Sequence, residues 1–237
     1  MSKPYKSNPV ILNEVRDYFD GLMLSDGHIE RKSMLTGRYC HLCKEKNWLD
    51  KISEDLYGYG IECTVNNGRL YIGGFSIDEG SLAYSLRTYD YVEFKEMHDR
   101  WYKKDYNIDE YPTTRWHLDK RSGEYYAWKK IVPKDICLTP GCVANWYLGD
   151  GNIHKDKRKY TTYTLSLATN DFIENDVLFL LELLFELLDI KCGIANSGVI
   201  NICNRADIST FLNYIKDYKV NCYLYKFPEG AMCWRWL

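Results

Sequence analysis

Two aspartates, Asp26 and Asp150, occupy the same place in two similar stretches of the chain, and together they could hold a metal ion. Each comes after an apolar run and is followed by glycine. An aspartate at a helix C-terminus faces the negative end of the helix dipole, which costs up to about 1 kcal/mol, and two such aspartates brought together repel each other. A divalent cation reverses both effects, because Mg²⁺ prefers carboxylate and carbonyl oxygens. Spacing alone leaves two interpretations open, a paired metal site or two ordinary helix ends.

Both stretches are predicted to be helices, the first beginning near Asn13 and the second at Thr139-Pro140. Short side chains recur at four-residue spacing in both: Gly21 and Ser25 in the first, Asn145 and Gly149 in the second. This spacing places them on one face of each helix. A face without bulk lets two backbones approach closely, so we expect the two helices to pack against each other.

The segments after the two stretches repeat one order of elements. In the first half we predict a hairpin over 29–44, a helix from Asn47, a hairpin around Asn67-Gly68, and helices over 79–89 and 91–103. In the second half we predict strands near 152–154 and 161–168, a helix to Leu188, a hairpin over 190–202 and a helix over 207–218. The expected fold is α+β, with two pseudo-symmetric αββαββα halves, residues 1–106 and 139–237, and a connecting segment over 107–138.

The distribution of charge is more informative than its sum. A net charge of −2 counts against a simple nucleic-acid-binding interpretation. Basic residues nevertheless collect after each aspartate: Arg31, Lys32, Arg38, Lys44 and Lys46, then Lys155, Lys157, Arg158 and Lys159. Local charge attracts a polyanion, so both clusters remain candidate nucleic-acid contacts.

Nine scattered cysteines, with no signal peptide and no 18-residue uncharged apolar span, predict free thiols in an intracellular, reducing compartment without membrane contact. The compartment could be cytoplasm, nucleoid or an organelle matrix. Cys40-His41-Leu42-Cys43 has CxxC spacing, but no second pair at zinc spacing follows it. Cysteines in a half-buried strand are therefore favoured over structural zinc.

The nonapeptides 19–27 and 143–151 resemble the signature of the LAGLIDADG homing endonucleases, in the single-chain form with two motifs. The aspartate in the eighth place and the glycine in the ninth are kept in both copies. The departures are Asp20 in the usual Ala place and Asn145 in the usual first Gly place, and neither is the catalytic position.

The resemblance implies an intron-encoded, site-specific DNA endonuclease that acts in intron homing. Such an enzyme packs its motif helices at a central interface and lays two antiparallel sheets on DNA as a saddle. It cuts a long asymmetric target as a monomer, by Mg²⁺-dependent hydrolysis that leaves short 3′ overhangs. Two or three Mg²⁺ would be held, and Mn²⁺ could substitute.

The resemblance also assigns roles to residues of this chain. Asp26 and Asp150 would ligate the metal with the carbonyls of Ser25 and Gly149, and Lys130 and Lys226 would stand near the scissile phosphates. A further polar residue after each motif would complete the site: His41 or Lys44 in the first half, and Ser166 or Asn170 in the second.

Polar and basic residues alternate along the predicted strands and could read the major groove. The candidates in the first half are Glu30, Lys32, Arg38, Lys44 and Arg69. Those in the second half are Asn152, His154, Arg158, Thr162, Thr164 and Asn201.

Two other functions fit the same fold. One is a maturase that binds its own intron RNA and assists group I intron splicing, and the other is a DNA-binding regulator without nuclease activity. Both classes commonly lose the catalytic carboxylates, and both aspartates are present here. The nuclease is therefore the favoured hypothesis, although its target sequence is not deducible from the chain.

Overall fold

The duplicated order of elements predicted from the sequence is present in the computed structural model, which describes residues 6–66, 83–155 and 163–232. The first half contains helices α1 (Val10–Asn13), α2 (Arg16–Leu24), α3 (Lys46–Gly58) and α4 (Val92–Trp101). Its strands are β1 (Gly27–Arg31), β2 (Gly37–Cys43), β3 (Cys63–Asn66) and β4 (Tyr84–Thr88). They form one antiparallel sheet in the order β1-β2-β4-β3.

Strand β4 corrects the predicted helix over 79–89. From Tyr84 to Thr88 the chain pairs with β2 on one side and with β3 on the other. Leu86 and Thr88 are buried while Arg87 between them is exposed, which is the two-residue period of a strand. The predicted turn at Asn67-Gly68 and the predicted start of that helix lie outside the described residues.

The segment between the halves forms a small sheet of its own. Strands β5 (Tyr102–Asp105), β6 (His117–Leu118) and β7 (Tyr125–Lys130) pair antiparallel in the order β5-β7-β6. Two short 3₁₀ turns, Ile108–Glu110 and Thr113–Arg115, lie between β5 and β6. Strand β7 carries the chain back toward the motif helices and ends at Lys130.

The second half contains helices α5 (Pro140–Asp150), α6 (Glu174–Leu188), α7 (Arg205–Tyr214) and α8 (Glu229–Met232). Its strands are β8 (Gly151–Lys155), β9 (Tyr163–Leu167), β10 (Gly193–Ile194) and β11 (Ile200–Ile202), in the sheet order β10-β11-β9-β8. The predicted hairpin turn is present, and Gly198 has a φ of 81°. A 3₁₀ stretch over Asn221–Lys226 follows α7.

The motif helices α2 and α5 lie against each other at the centre of the molecule. Every side chain from Phe19 to Leu24 and from Cys142 to Leu148 is buried. A helix that is buried on all sides is typical of a protein interior rather than of a surface. Within the described ranges, no helix has the length and apolar character needed to cross a lipid bilayer.

Candidate active site

The two motif helices approach so closely that glycine is required at their contact. A Cβ added at Gly21 would collide with the carbonyl oxygen of Cys142 and lie 2.9 Å from the Cβ of Asn145. A Cβ added at Gly149 would collide with the Oγ of Ser25 and lie 2.6 Å from its Cβ. The expected packing of the two short-side-chain faces is therefore confirmed.

Asn145 fits the place where the family usually has glycine, because it bonds across the helix interface. Its Nδ2 donates to the carbonyl oxygen of Tyr18 at 3.1 Å. Asp20, the other departure, is fully buried and paired with Arg100, whose Nη2 donates to Oδ2 at 2.9 Å. The indole nitrogen of Trp101 also donates to Asp20, at 2.9 Å. Both departures therefore have polar partners.

Close packing at Ser25 and Gly149 brings the residue that follows each of them, Asp26 or Asp150, to the same end of the interface. Both carboxylates keep contact with solvent. Loss of surrounding water, and then the charge of Asp150, raise the pKa of Asp26 to about 6, against the opposing effect of nearby lysines. Partial desolvation likewise raises the pKa of Asp150. Two carboxylates with raised pKa values in one place form a candidate metal or acid–base site.

Each aspartate has its own lysine. Lys130, at the end of β7, donates from Nζ to the carbonyl of Gly27 at 2.9 Å and reaches that of Ser25 at 3.4 Å. Lys226, which is buried, donates to the carbonyls of Leu148 at 2.8 Å and Tyr147 at 3.2 Å. The two ammonium groups thus hold equivalent positions at the C-terminal ends of the two motifs, where the helix dipole favours a cation.

Burial lowers the pKa of both lysines to about 8, despite the carboxylates nearby. Asp26 and Asp150 both act on each of them in the opposite direction, toward a higher pKa. Lys130 and Lys226 therefore belong to the same electrostatic unit as the aspartates. At neutral pH they remain mostly protonated and can donate hydrogen bonds to an anion.

A third carboxylate, Asp171, belongs to this neighbourhood and was missed by the sequence reasoning. Its charge raises the pKa values of Asp26 and Asp150, and it also acts on Lys130. Asn170, one of the two predicted alternatives, donates to Asp171 Oδ1 at 3.3 Å. The sequence signal for Asp171 was its position directly after Asn170, in the loop that follows β9.

The other predicted polar residues lie in different environments. His41 is buried, and its Nδ1 is 2.7 Å from the hydroxyl of Tyr39. Burial lowers the pKa of His41 to about 3, so the ring is neutral, and its Nε2 has no hydrogen-bond partner among the described residues. Lys44 is exposed just beyond β2. Ser166 lies in the second sheet, where its Oγ donates to Asn201 Oδ1 at 2.7 Å.

The outer face of the first sheet carries several predicted contact residues. Glu30 and Arg38 are directly opposite each other on β1 and β2, and Lys32 donates to Glu30 at 3.2 Å. Arg38 also pairs with Asp90 at 2.8 Å. Arg69 lies outside the described residues. The strand register also places side by side on this face four residues that were not predicted as contacts: His28, Cys40, Arg87 and Thr64.

The outer face of the second sheet carries the equivalent set. Asn152 and His154 are exposed on β8, and Thr164 is opposite His154 on β9. Asn201 on β11 is opposite Ser166. The predicted contacts Arg158 and Thr162 lie outside the described residues. The described candidates of this half therefore lie on the outer face.

Comparisons with known proteins show which family and which proteins this chain is similar to. The LAGLIDADG DNA endonuclease family model matches residues 111–210. The chain is 26% identical over 168 residues to an uncharacterized protein of Methanocaldococcus jannaschii, an alignment that covers 69% of this chain and 55% of that protein. The chain thus spans about half the length of this relative. It is 27% identical over 135 residues to the intron-encoded endonuclease ai4 of Dictyostelium discoideum, with 56% and 68% covered.

Among solved structures, the chain is similar to the homing endonuclease I-WcaI bound to its DNA recognition sequence. The TM-score is 0.65 at 16% identity, and the superposition covers 94% of this chain and 88% of that one. At this identity the similarity establishes the fold. The resemblance is therefore confirmed: over 94% of this chain the fold matches that of a homing endonuclease, and over residues 111–210 the sequence matches the LAGLIDADG DNA endonuclease family model.

Proposed function

We propose that this protein is a site-specific DNA endonuclease of the homing type. It would make a double-strand break with short 3′ overhangs at a long asymmetric target. The observation that carries the proposal is the placement of Asp26 and Asp150 at one end of the motif-helix interface, each with a lysine held on its own motif. Two equivalent half-sites suit a duplex, because each can act on one strand.

The donor set fits a hard divalent cation. The carboxylates of Asp26 and Asp150 and the carbonyls of Ser25 and Gly149 supply only oxygen, which is what Mg²⁺ prefers. Loss of surrounding water, and then the charge of Asp150, raise the pKa of Asp26, and a bound cation would oppose both effects. When bound, two or three Mg²⁺, or Mn²⁺ in their place, would stabilise charge on the attacking and leaving oxygens.

Lys130 and Lys226 would stabilise the negative charge that develops on each scissile phosphate. Their hydrogen bonds to motif carbonyls fix each Nζ before DNA arrives, and a preorganised donor needs no reorganisation during the reaction. A pKa of about 8 keeps both lysines mostly protonated at neutral pH. It also brings them close enough to neutrality to exchange a proton with water.

The two outer sheet faces would contact the major groove on either side of the site. The halves differ in sequence, with Glu30 and Arg38 on one sheet and Asn152 and Asn201 on the other. A single chain with two different sheets can therefore read an asymmetric target as a monomer. The eight cysteines of the described ranges are all free thiols. We also propose a reducing, intracellular location, on the ground of the nine scattered cysteines of the sequence.

The test is cleavage of a randomised duplex library with Mg²⁺ and with Ca²⁺, followed by sequencing of the ends. The expected result is one long, asymmetric site, cut with Mg²⁺ only and leaving 3′ overhangs. Asp26→Asn and Asp150→Asn should each abolish cleavage or leave only nicking, while DNA binding survives. The control Asp217→Asn, at an exposed carboxylate, should cut normally.

Two outcomes would contradict the proposal. Full cleavage by both Asp26→Asn and Asp150→Asn would exclude these carboxylates as metal ligands. Failure to cut in any metal, together with tight binding to a structured intron RNA, would instead identify a maturase.

A further inference from the structure

We propose that His28, Glu30 and Cys40 form a binding site for a borderline-soft divalent cation such as Zn²⁺, on the outer face of the first sheet. The site is separate from the pair of aspartates. It uses a different set of donor atoms and so selects a different class of metal.

The three side chains converge because of the strand register. His28 on β1 is directly opposite Cys40 on β2, and Glu30 is two residues further along β1 on the same face. One ligand atom from each residue lies within 4.8 Å of the other two. The Nε2 of His28 is 3.9 Å from Glu30 Oε1. Tetrahedral zinc sets its ligand atoms roughly 3.3–3.8 Å apart, so small side-chain rotations complete the geometry.

The donor chemistry decides the metal class. Imidazole nitrogen and thiolate sulfur favour Zn²⁺ and similar transition metals, whereas Mg²⁺ favours oxygen alone. Three protein ligands leave a fourth tetrahedral position for water. The metal would therefore keep one coordination position open to water, in contrast to a closed structural zinc site.

The surroundings of Glu30 leave one of its carboxylate oxygens available to bind a metal. Its two oxygens have different neighbours: Oε1 faces His28, while Oε2 accepts from Lys32 at 3.2 Å and is 4.0 Å from Arg38 Nε. A carboxylate can thus bind metal through one oxygen and keep its cationic partners on the other. Hydrogen bonds of this outer kind orient metal ligands in known sites.

The thiol of Cys40 is buried, and burial raises its pKa to about 12. Metal binding would displace the thiol proton to solvent, so affinity should rise with pH. The charge of Glu30 also raises the pKa of the Cys40 thiol, whereas Arg87, directly opposite Cys40 on β4, and Arg38 lower it. With a neutral imidazole, a thiolate and a carboxylate, the three ligands offset the two positive charges of a divalent ion.

The CxxC spacing in the sequence does not produce this site. Cys40 and Cys43 are three residues apart on one strand, and side chains alternate between its two faces. They therefore point to opposite sides of the sheet. The other two ligands of the proposed site, His28 and Glu30, lie on the neighbouring strand β1 instead.

The site lines a groove of about 700 Å³ on the first sheet, together with Arg87 and Asn66. Under the proposed function this groove would receive DNA, and a metal held there would occupy part of the contact surface. That consequence rests on the proposed function. The binding site itself does not, and its test uses no DNA.

The experiment is titration of the EDTA-treated full chain with Co²⁺, followed by absorption spectroscopy. A cobalt–thiolate charge-transfer band should grow to about one equivalent and be removed by Zn²⁺. Co²⁺ at the aspartate pair gives no such band, because that site has only oxygen donors. Failure of the endonuclease proposal would therefore leave this result unaffected.

Cys40→Ser should lose the band. His28→Ala, at an exposed position, should weaken Co²⁺ binding by about tenfold or more. Cys203→Ser, at an exposed cysteine elsewhere, should keep both band and affinity. A band that persists in Cys40→Ser, unchanged affinity in His28→Ala, or a wild-type chain without a band would each overturn the proposal.

Discussion

Gly149→Ala should disturb both the stability and the activity of the protein, because it acts where the two motif helices meet beside the aspartates. The added methyl group would collide with Ser25 Oγ and lie 2.6 Å from Ser25 Cβ. Overpacking of this kind costs about 1–3 kcal/mol, and the higher helix propensity of alanine returns up to about 1 kcal/mol. We expect a net loss of about 1–2 kcal/mol, or roughly 2–8 °C in Tm for a chain of this size.

The effect on cleavage should exceed the effect on stability. Gly149 precedes Asp150 and Ser25 precedes Asp26, so separating the first pair moves the second. A displacement of about 1 Å in a catalytic group can lower the rate about 100-fold. Thermal denaturation and single-turnover cleavage of the target would measure the two effects separately.

A double-mutant cycle isolates the contact. Ser25→Gly removes both atoms that the new methyl group would meet. It also removes the hydrogen bond that Ser25 Oγ donates to the carbonyl oxygen of Leu22. The double variant should lose less free energy of unfolding than the sum of the two single losses, and the difference should be about 1–3 kcal/mol. Gly58→Ala is the matched control, since a Cβ there meets nothing within 4 Å. A Gly149→Ala protein as stable and active as Gly58→Ala, or a cycle with no coupling, would refute the described packing.

Two further predictions concern buried charges. The pKa of Lys226 is lowered from 10.5 to about 8, so wild-type stability should rise relative to Lys226→Met as pH increases, by about 1 kcal/mol between pH 7 and 9. Urea denaturation of both proteins at the two pH values measures this change. If the difference in the free energy of unfolding between them does not change with pH, the lysine is not desolvated. Lys226→Met should also cleave DNA more slowly, with little loss of DNA affinity. Asp20→Ala should cost about 3 kcal/mol, the lower end of the range for a broken buried ion pair, because Arg100 loses Asp20 but keeps Asp135 at 2.7 Å. Adding Arg100→Leu should recover part of this loss. No recovery in the double variant would show that Asp20 acts through packing instead.

The centre of the fold could be predicted from the sequence because its determinants are local. Small residues at four-residue spacing, such as Gly21 and Gly149, fix which helix faces meet, and the aspartates then follow from chain connectivity. Strand β4 was mistaken for helix because a short apolar run fits either period. Its pairing with β2 and β3, a tertiary effect, decides the outcome.

Residues brought together by register were the ones that sequence reasoning missed. Nothing in the local pattern aligns His28 with Cys40, because the alignment depends on the length of the turn between β1 and β2. Asp171 was missed for a similar reason, since it lies in a loop without periodicity. The sequence therefore predicts elements and faces better than it predicts which side chains meet across strands.

The placement of the two lysines has a consequence for biosynthesis. Asp26 and Lys130 emerge from the ribosome first, Asp150 later, and Lys226 only near the end of the described chain. A chain translated only as far as Lys130 therefore holds two of the four groups and lacks the partner helix of the glycine face of α2, and a chain translated past Asp150 still lacks Lys226. Under the proposed function, double-strand cleavage would therefore begin only after synthesis has passed Lys226.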